Sequence, residues 1–306
     1  MSVTATAGRT NSTLQGAAFM VSGMAIIGLI DNYVVHIAAE AGLWQFHLLR
    51  SVLACGLVML GALIFGWRLR PKQWRGVAIR SFCAAFSMLI YFGALAYVPI
   101  AQVGAGLFTA PIFVLIFSVL FFGQPVGWVR IFAAVCGFLG VLLVLQPNPS
   151  ALQLITVLPM FAGITWGIAA LSTRHLCAEE ETVTLLFWFF GTLGAFGAIG
   201  LLVTGLGFGD GTSFFGRGWV APTYDFWYWT AIQALGSLVA VGCLTRAYQV
   251  GDPSYVAPFE YSFLIFAIYW GWNMFGDLPG LMGWIGLGLI VLSGVVIALR
   301  SGDASP

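Results

Sequence analysis

The sequence predicts an all-α polytopic membrane protein, with ten transmembrane helices forming two inverted five-helix repeats around a central cavity. Three observations predict this. Apolar residues make up 60% of the 306 and charged residues only 8%, with a mean hydropathy of +0.97. A water-soluble domain of this length keeps more polar surface. The apolar residues gather into ten runs, each near the roughly 20 residues that cross a bilayer. Parts of the second half also repeat the first.

The first run, 16–39, follows fifteen residues that lack the basic stretch of a secretory signal, and it is too long for a signal's apolar core. Residues 1–15 are therefore expected to be a disordered cytoplasmic tail, and the run a retained span. The second and third runs, 44–66 and 76–97, flank the basic cluster Arg68, Arg70, Lys72, Arg75 and Arg80. The fourth, 100–122, is interrupted by Pro111, a gating or helix-break candidate. The fifth, 128–146, completes a first repeat over 16–147. The second repeat, 154–300, holds runs at 154–173, 182–206, 225–248, 254–275 and 280–300, with Pro258 as a second break candidate. The longest polar connection, Gly207 to Tyr224, lies before the eighth run, and 301–306 form another short tail.

Basic residues fall on alternate connections: Arg9, the 68–80 cluster, Arg130, Arg174, Arg246 and Arg300 on one set, and only Arg217 on the other. The positive-inside rule then makes both termini cytoplasmic, as an even number of spans also requires. The expected location is the cell (inner) membrane. Cys55, Cys83, Cys136, Cys177 and Cys243 suit neither a metal site nor a disulfide frame, and read as small buried residues. A net charge of +1 offers no field for nucleic acid. No Gly-x-x-x-x-Gly-Lys or His-Glu-x-x-His pattern is present, so neither ATP hydrolysis nor metal chemistry is indicated, and no cofactor is expected.

The repeat is legible in matched blocks. Ala96-Tyr97 lies opposite Ala247-Tyr248, and Phe108-Thr109-Ala110-Pro111 opposite Phe259-Glu260-Tyr261-Ser262. Phe122-Gly123-Gln124-Pro125 lies opposite Phe275-Gly276-Asp277-Leu278-Pro279, and Gly28 opposite Gly167. The run from Gly140 to Leu145 matches that from Gly294 to Leu299. Five spans per repeat is odd, so the halves enter the membrane from opposite sides, the geometry of alternating access around a midplane site. These residues resemble the drug/metabolite transporter superfamily, in its ten-helix EamA-like branch. The resemblance extends to Pro111 in the fourth helix and to an Arg early in the second, in Phe46-His47-Leu48-Leu49-Arg50. It departs at Gln124, where the family has an acid. The resemblance implies a basket of helices around a cavity, with helices five and ten peripheral. It implies transport and leaves the substrate open.

Ionisable groups inside a span are costly to insert and point to function. Glu260, beside Pro258, reads as a carboxylate for a substrate ammonium or a proton, or else as a structural partner. Asp31 reads as a cation or proton site, or as a partner of Arg50. Arg50 suits a carboxylate of substrate or protein. His36 and His47 read as interfacial, and Arg80 and Arg246 as snorkelling anchors. Trp166, against Gly167, could wall a cavity, with Trp188, Trp270 and Trp272 also deep. Tyr91, Tyr261, Gln102 and Thr109 complete the binding candidates, and Gln233 and Ser237 would add hydrogen bonds if they face inward.

Two carboxylates and one guanidinium suit a zwitterion or a cation. The expected function is secondary active or exchange transport of a small organic metabolite, first an amino acid or related amine, which the deep aromatic residues favour, with export as the direction the family resemblance implies. The alternative is uptake of a flat vitamin- or nucleoside-like metabolite. A channel would need a continuous polar stripe and an enzyme a catalytic constellation; the chain shows neither. Its expected partners are the lipid bilayer and a small-molecule substrate. Glycine runs such as 137–140 leave monomer and homodimer both open.

Overall fold

In the computed structural model, which describes residues 2–94, 100–148, 157–276 and 278–300, every described regular element is helical. The first span is α1 (Ser2–Ile30), a 3-10 turn at Asp31–Tyr33 and α2 (Val34–Glu40). Because α1 begins at Ser2, the segment expected as a disordered tail is helical and continuous with the span. The second and third spans are α3 (Leu43–Phe65) and α4 (Trp74–Ala94). The fourth divides into α5 (Ile100–Leu107) and α6 (Ala110–Phe122), and α7 (Trp128–Leu145) is the fifth. The second half runs through α8 (Leu158–His175), α9 (Thr182–Val203) and α10 (Tyr224–Val250). Its ninth span is α11 (Pro253–Val256), a 3-10 segment at Ala257–Tyr261 and α12 (Ser262–Phe275); α13 (Leu281–Arg300) is the tenth. Ala96, Tyr97, Asp277 and residues 154–156 of the expected sixth run lie outside the described residues.

Among the described residues, eight of the ten spans are long and apolar enough to cross a membrane by length and composition. The other two are the sixth and ninth. α8 has only 18 residues and ends in Ser172, Thr173, Arg174 and His175, while the 3-10 segment leaves α12 with 14. The outward faces are those of a lipid-embedded protein: Leu63 is 84% exposed, Phe121 70% and Leu202 69%. In water such a belt would be a liability; in hydrocarbon it costs nothing.

Helix packing obeys a two-fold rule. α1 packs on α10 and α8 on α4, so the first span meets the eighth as the sixth meets the third. α1 also packs on α12 as α8 does on α5 and α6, while α3 pairs with α9 and α7 with α13, each with its own repeat mate. The matched glycines serve matched contacts. A Cβ on Gly28 would lie 2.8 Å from Phe266 Cβ of the ninth span, and one on Gly167 3.4 Å from Phe113 Cβ of the fourth. Gly123 and Gly276 end the fourth and ninth spans at φ +58° and +76°, a left-handed conformation that glycine adopts without a Cβ clash.

The connections 66–73, 123–127, 176–181 and 251–252 share one face, here the basic face. There Arg130 Nη1 donates to Asp252 Oδ2 at 2.8 Å, the one ion pair under 4.0 Å among the described residues. Asp252 Oδ1 also caps α11 through Ser254 N, at 2.9 Å. On the opposite face the long 204–223 connection folds back over the α2–α3 corner. Leu43 N donates to Phe214 O at 2.7 Å, Trp44 Nε1 to Phe215 O at 2.8 Å, and Gln45 exchanges two hydrogen bonds with Val220. Asp210 organises the tip of this connection. Hydrogen bonds from Ser213, and then from the Thr212 amide, hold its carboxyl below the usual carboxylate range.

Candidate functional site

Three broken spans meet at the centre of the bundle. At the first break, Gln233 Nε2 donates to Ile30 O at 2.6 Å, capturing a carbonyl at the end of α1, and Asn32 Nδ2 donates to Gly28 O at 2.7 Å. The fourth span breaks between α5 and α6, where Thr109 Oγ1 donates to Gly106 O at 2.6 Å and Pro111 opens α6. Proline suits a first helical turn, whose amides have no partner anyway. The ninth breaks at Ala257–Tyr261, which contains Pro258 and Glu260. Irregular backbone at membrane depth persists only where it is buried in protein or lines a cavity.

These breaks surround a cavity of about 120 Å³. Its wall is mostly apolar, with seven aromatic side chains, Tyr91, Phe92, Phe108, Trp166, Phe189, Phe190 and Phe263, and as many aliphatic ones. Its polar groups are few: Asp31, Arg50, Gln233, Ser237 and Glu260. It shares Asp31, Tyr91, Phe92, Phe108 and Phe263 with a wider vestibule of about 640 Å³, which reaches Leu145, Leu278 and Pro279 at the face opposite the basic one. The cavity alone is smaller than typical ligand pockets of roughly 300–1,000 Å³, whereas the vestibule lies within that range.

Toward the basic face the cavity has a floor. Glu260 Oε1 accepts from Tyr248 OH at 2.5 Å and from Trp166 Nε1 at 2.8 Å, tying α8, α10 and the ninth-span break together. Below lies Arg80, buried and donating to Thr245 Oγ1 at 2.7 Å, Leu185 O at 2.8 Å and Thr173 Oγ1 at 3.3 Å. The floor is thus a bonded partition.

Glu260, Trp166, Arg50, Asp31 and Tyr91 all line the cavity, as do Gln233 and Ser237. Three expected binding residues do not. Tyr261 points away from it, fully buried against Phe108, with its hydroxyl directed at Ala134 O at 3.4 Å. Gln102 spends its amide on Asn148 O at 3.1 Å, and Thr109 spends its hydroxyl on the helix break. Arg50 and Asp31 line one cavity but form no pair under 4.0 Å. Arg50 Nη2 instead approaches His47 Nδ1 at 3.4 Å, and its guanidinium lies 4.7 Å from the Phe46 ring centre.

Several secondary expectations are corrected. His47 is fully buried rather than interfacial, because it backs Arg50. Arg80 does not snorkel, because two threonine hydroxyls and a carbonyl solvate it internally. Trp188 sits in the second turn of α9 near the basic face, donating to Leu69 O at 3.0 Å, and Trp272 is exposed. Tyr248 and the five phenylalanines were not anticipated. Tyr248 had one available signal, its place in the Ala247-Tyr248 repeat block. Phe108 had the same kind of signal, its place in the Phe108-Thr109-Ala110-Pro111 block; the other four phenylalanines had none, since 26 in one chain cannot be sorted by facing.

The EamA-like transporter family model matches residues 14–146 and again 153–299. The chain belongs to the EamA-like transporter family. It is therefore a multi-pass membrane transporter rather than an enzyme. Among relatives, a riboflavin transporter of Vibrio cholerae is 27% identical over 92% of this chain and 91% of its own length. A riboflavin transporter of Rhizobium johnstonii is 29% identical over 85% and 80%. A solved crystal structure superposes with a TM-score of 0.78 over 97% of this chain and 100% of its own, at 14% identity, a likeness of fold.

Proposed function

We propose that this EamA-family transporter takes up a flat, vitamin-like metabolite of the riboflavin class by alternating access. The observation that carries the reading is the wall: seven aromatic side chains around a cavity with few polar groups. Aromatic faces hold a planar ring by stacking and apolar contact. The reading of an amino acid or amine as substrate loses one of its supports, because Glu260 Oε1 is already engaged by Trp166 and Tyr248. The two relatives named as riboflavin transporters favour the same reading.

In this proposal the basic face is cytoplasmic, following the positive-inside rule, and the vestibule opens outward. The cavity then receives substrate from outside while the Glu260 floor closes the inside. Asp31 stands at the junction of cavity and vestibule with no ion pair under 4.0 Å among the described residues, and is the carrier proposed for a coupling proton or cation. A single chain is the proposed transport unit, because Gly140 of α7 and Gly286 of α13 are used against each other inside the bundle.

The test is growth and uptake. Cells unable to make riboflavin, and lacking their own importer, are expected to grow on low external vitamin when they express this chain, and to accumulate labelled riboflavin. Absence of both, with labelled amines leaving cells that express the chain, would restore the export reading.

A further inference from the structure

Unpartnered buried polar atoms are rare in folded proteins and call for an explanation. Among the described residues, five gather on facing stretches of α3 and α10: His47 Nε2, Arg50 Nε, Ser51 Oγ, Thr230 Oγ1 and Gln233 Oε1. Two belong to side chains that line the cavity, Arg50 and Gln233, and both residues are more than nine-tenths buried. Their orientation is fixed from behind. Arginine can only donate, so His47 Nδ1 accepts from Arg50 Nη2, and the Arg50 Nε–H is left over. Gln233 Nε2 is committed to Ile30 O, which leaves Oε1 as the free end of the amide.

A donor beside an acceptor in a mostly apolar cavity complements a ring edge that alternates carbonyl and N–H. We propose that the Arg50–Gln233 corner reads a carbonyl and the adjacent imide N–H on the edge of a fused-ring heterocycle. Arg50 Nε–H donates to a ring carbonyl and Gln233 Oε1 accepts the imide N–H. The apolar end of the ring lies toward Trp166 and Phe189. The inference rests on the proposed uptake of a flat vitamin and adds the orientation of the ring and the residues that choose it. The orphaned atoms argue for selectivity as well as binding. A ring that lacks the N–H leaves Gln233 Oε1 unsatisfied, and a buried polar group without a partner is what makes such sites reject near-isosteres.

The test is binding to the full chain in lipid nanodiscs, followed by fluorescence, with three probes: riboflavin, lumiflavin and N3-methyl-lumiflavin. Lumiflavin keeps the ring edge and carries a methyl in place of the sugar-alcohol chain, and the N3-methyl group removes its one N–H. Wild-type protein is expected to bind lumiflavin roughly 10- to 100-fold more tightly than the N3-methylated ring. Gln233→Leu and Gln233→Glu both lose the Nε2 bond to Ile30 O, and only Glu keeps an acceptor; the ratio of the two affinities is expected to fall toward one in Leu and to persist in Glu. Arg50→Lys, which keeps the charge and moves the donor, is expected to weaken lumiflavin more than its N3-methylated form. Equal binding of the two rings by wild type overturns the inference alone. So does binding of riboflavin without lumiflavin, which would assign the corner to the sugar-alcohol chain. Binding of none of the three overturns the proposed function, and the inference with it.

Discussion

At the scale of single residues, Glu260 carries the most consequence. Its Oε1 is the common acceptor for Tyr248 OH and Trp166 Nε1, so removing it strands two buried donors. Each stranded donor costs about 1–3 kcal/mol. Glu260→Ala is therefore expected to lower the melting temperature of the purified protein markedly. Glu260→Gln retains an oxygen in the same place and should lie close to wild type. Transport separates the roles further. If the floor depends on the oxygen alone, Glu260→Gln transports with unchanged pH dependence, whereas Asp31→Asn flattens it. A flat pH profile in Glu260→Gln would move the proton site from Asp31 to the floor. The comparison is made in proteoliposomes with an imposed pH gradient.

At the scale of elements, apolar run length determined most of what folds. All ten spans were legible, because a bilayer sets helix length directly and leaves little to tertiary context. The breaks were half legible. Pro111 and Pro258 marked two of them, since proline lacks the amide a helix needs. The break at Asp31–Tyr33 contains no proline and depends on Gln233 reaching across from α10 to take the Ile30 carbonyl, a contact between residues some two hundred positions apart. Facing was illegible for the same reason. Tyr261 and Glu260 are neighbours in sequence, yet the 3-10 segment turns one into the core and the other to the cavity.

The α7–α13 pair gives a test confined to the scaffold. A Cβ on Gly140 would lie 2.6 Å from Gly286 O, and one on Gly286 2.6 Å from Gly140 O, with backbone on both sides that cannot step back. Gly140→Ala is expected to destabilise by about 1–3 kcal/mol while leaving substrate affinity in the surviving fold unchanged. Gly288→Ala, with nothing within 4 Å, is the matched control and should be silent in thermal melts.

At the scale of the whole molecule, the two-fold contact pattern and the one-sided opening pull in different directions, and the tension is informative. A symmetric bundle would close both faces alike. Here one face is sealed by the Glu260 trio with Arg80 beneath it, while the other leaves Asp31 and Arg50 more than 4.0 Å apart beneath a vestibule. Inverted repeats make the second state accessible without a new fold: the halves exchange the packing that each now holds. With the proposed alternating access, this arrangement is the end state open opposite the basic face. Cysteine accessibility reads this directly. In a background with the five native cysteines replaced, Ala267→Cys in the vestibule is expected to react with a membrane-impermeant maleimide added outside intact cells, and Ala170→Cys beneath the floor is not. Saturating substrate should slow labelling at Ala267→Cys, both by occupying the shared wall and by drawing the population through its closed form. Labelling of Ala267→Cys only in inverted vesicles would place the basic face outside. That single result would reverse the assigned direction of entry while leaving the fold and the ring-reading corner as they stand.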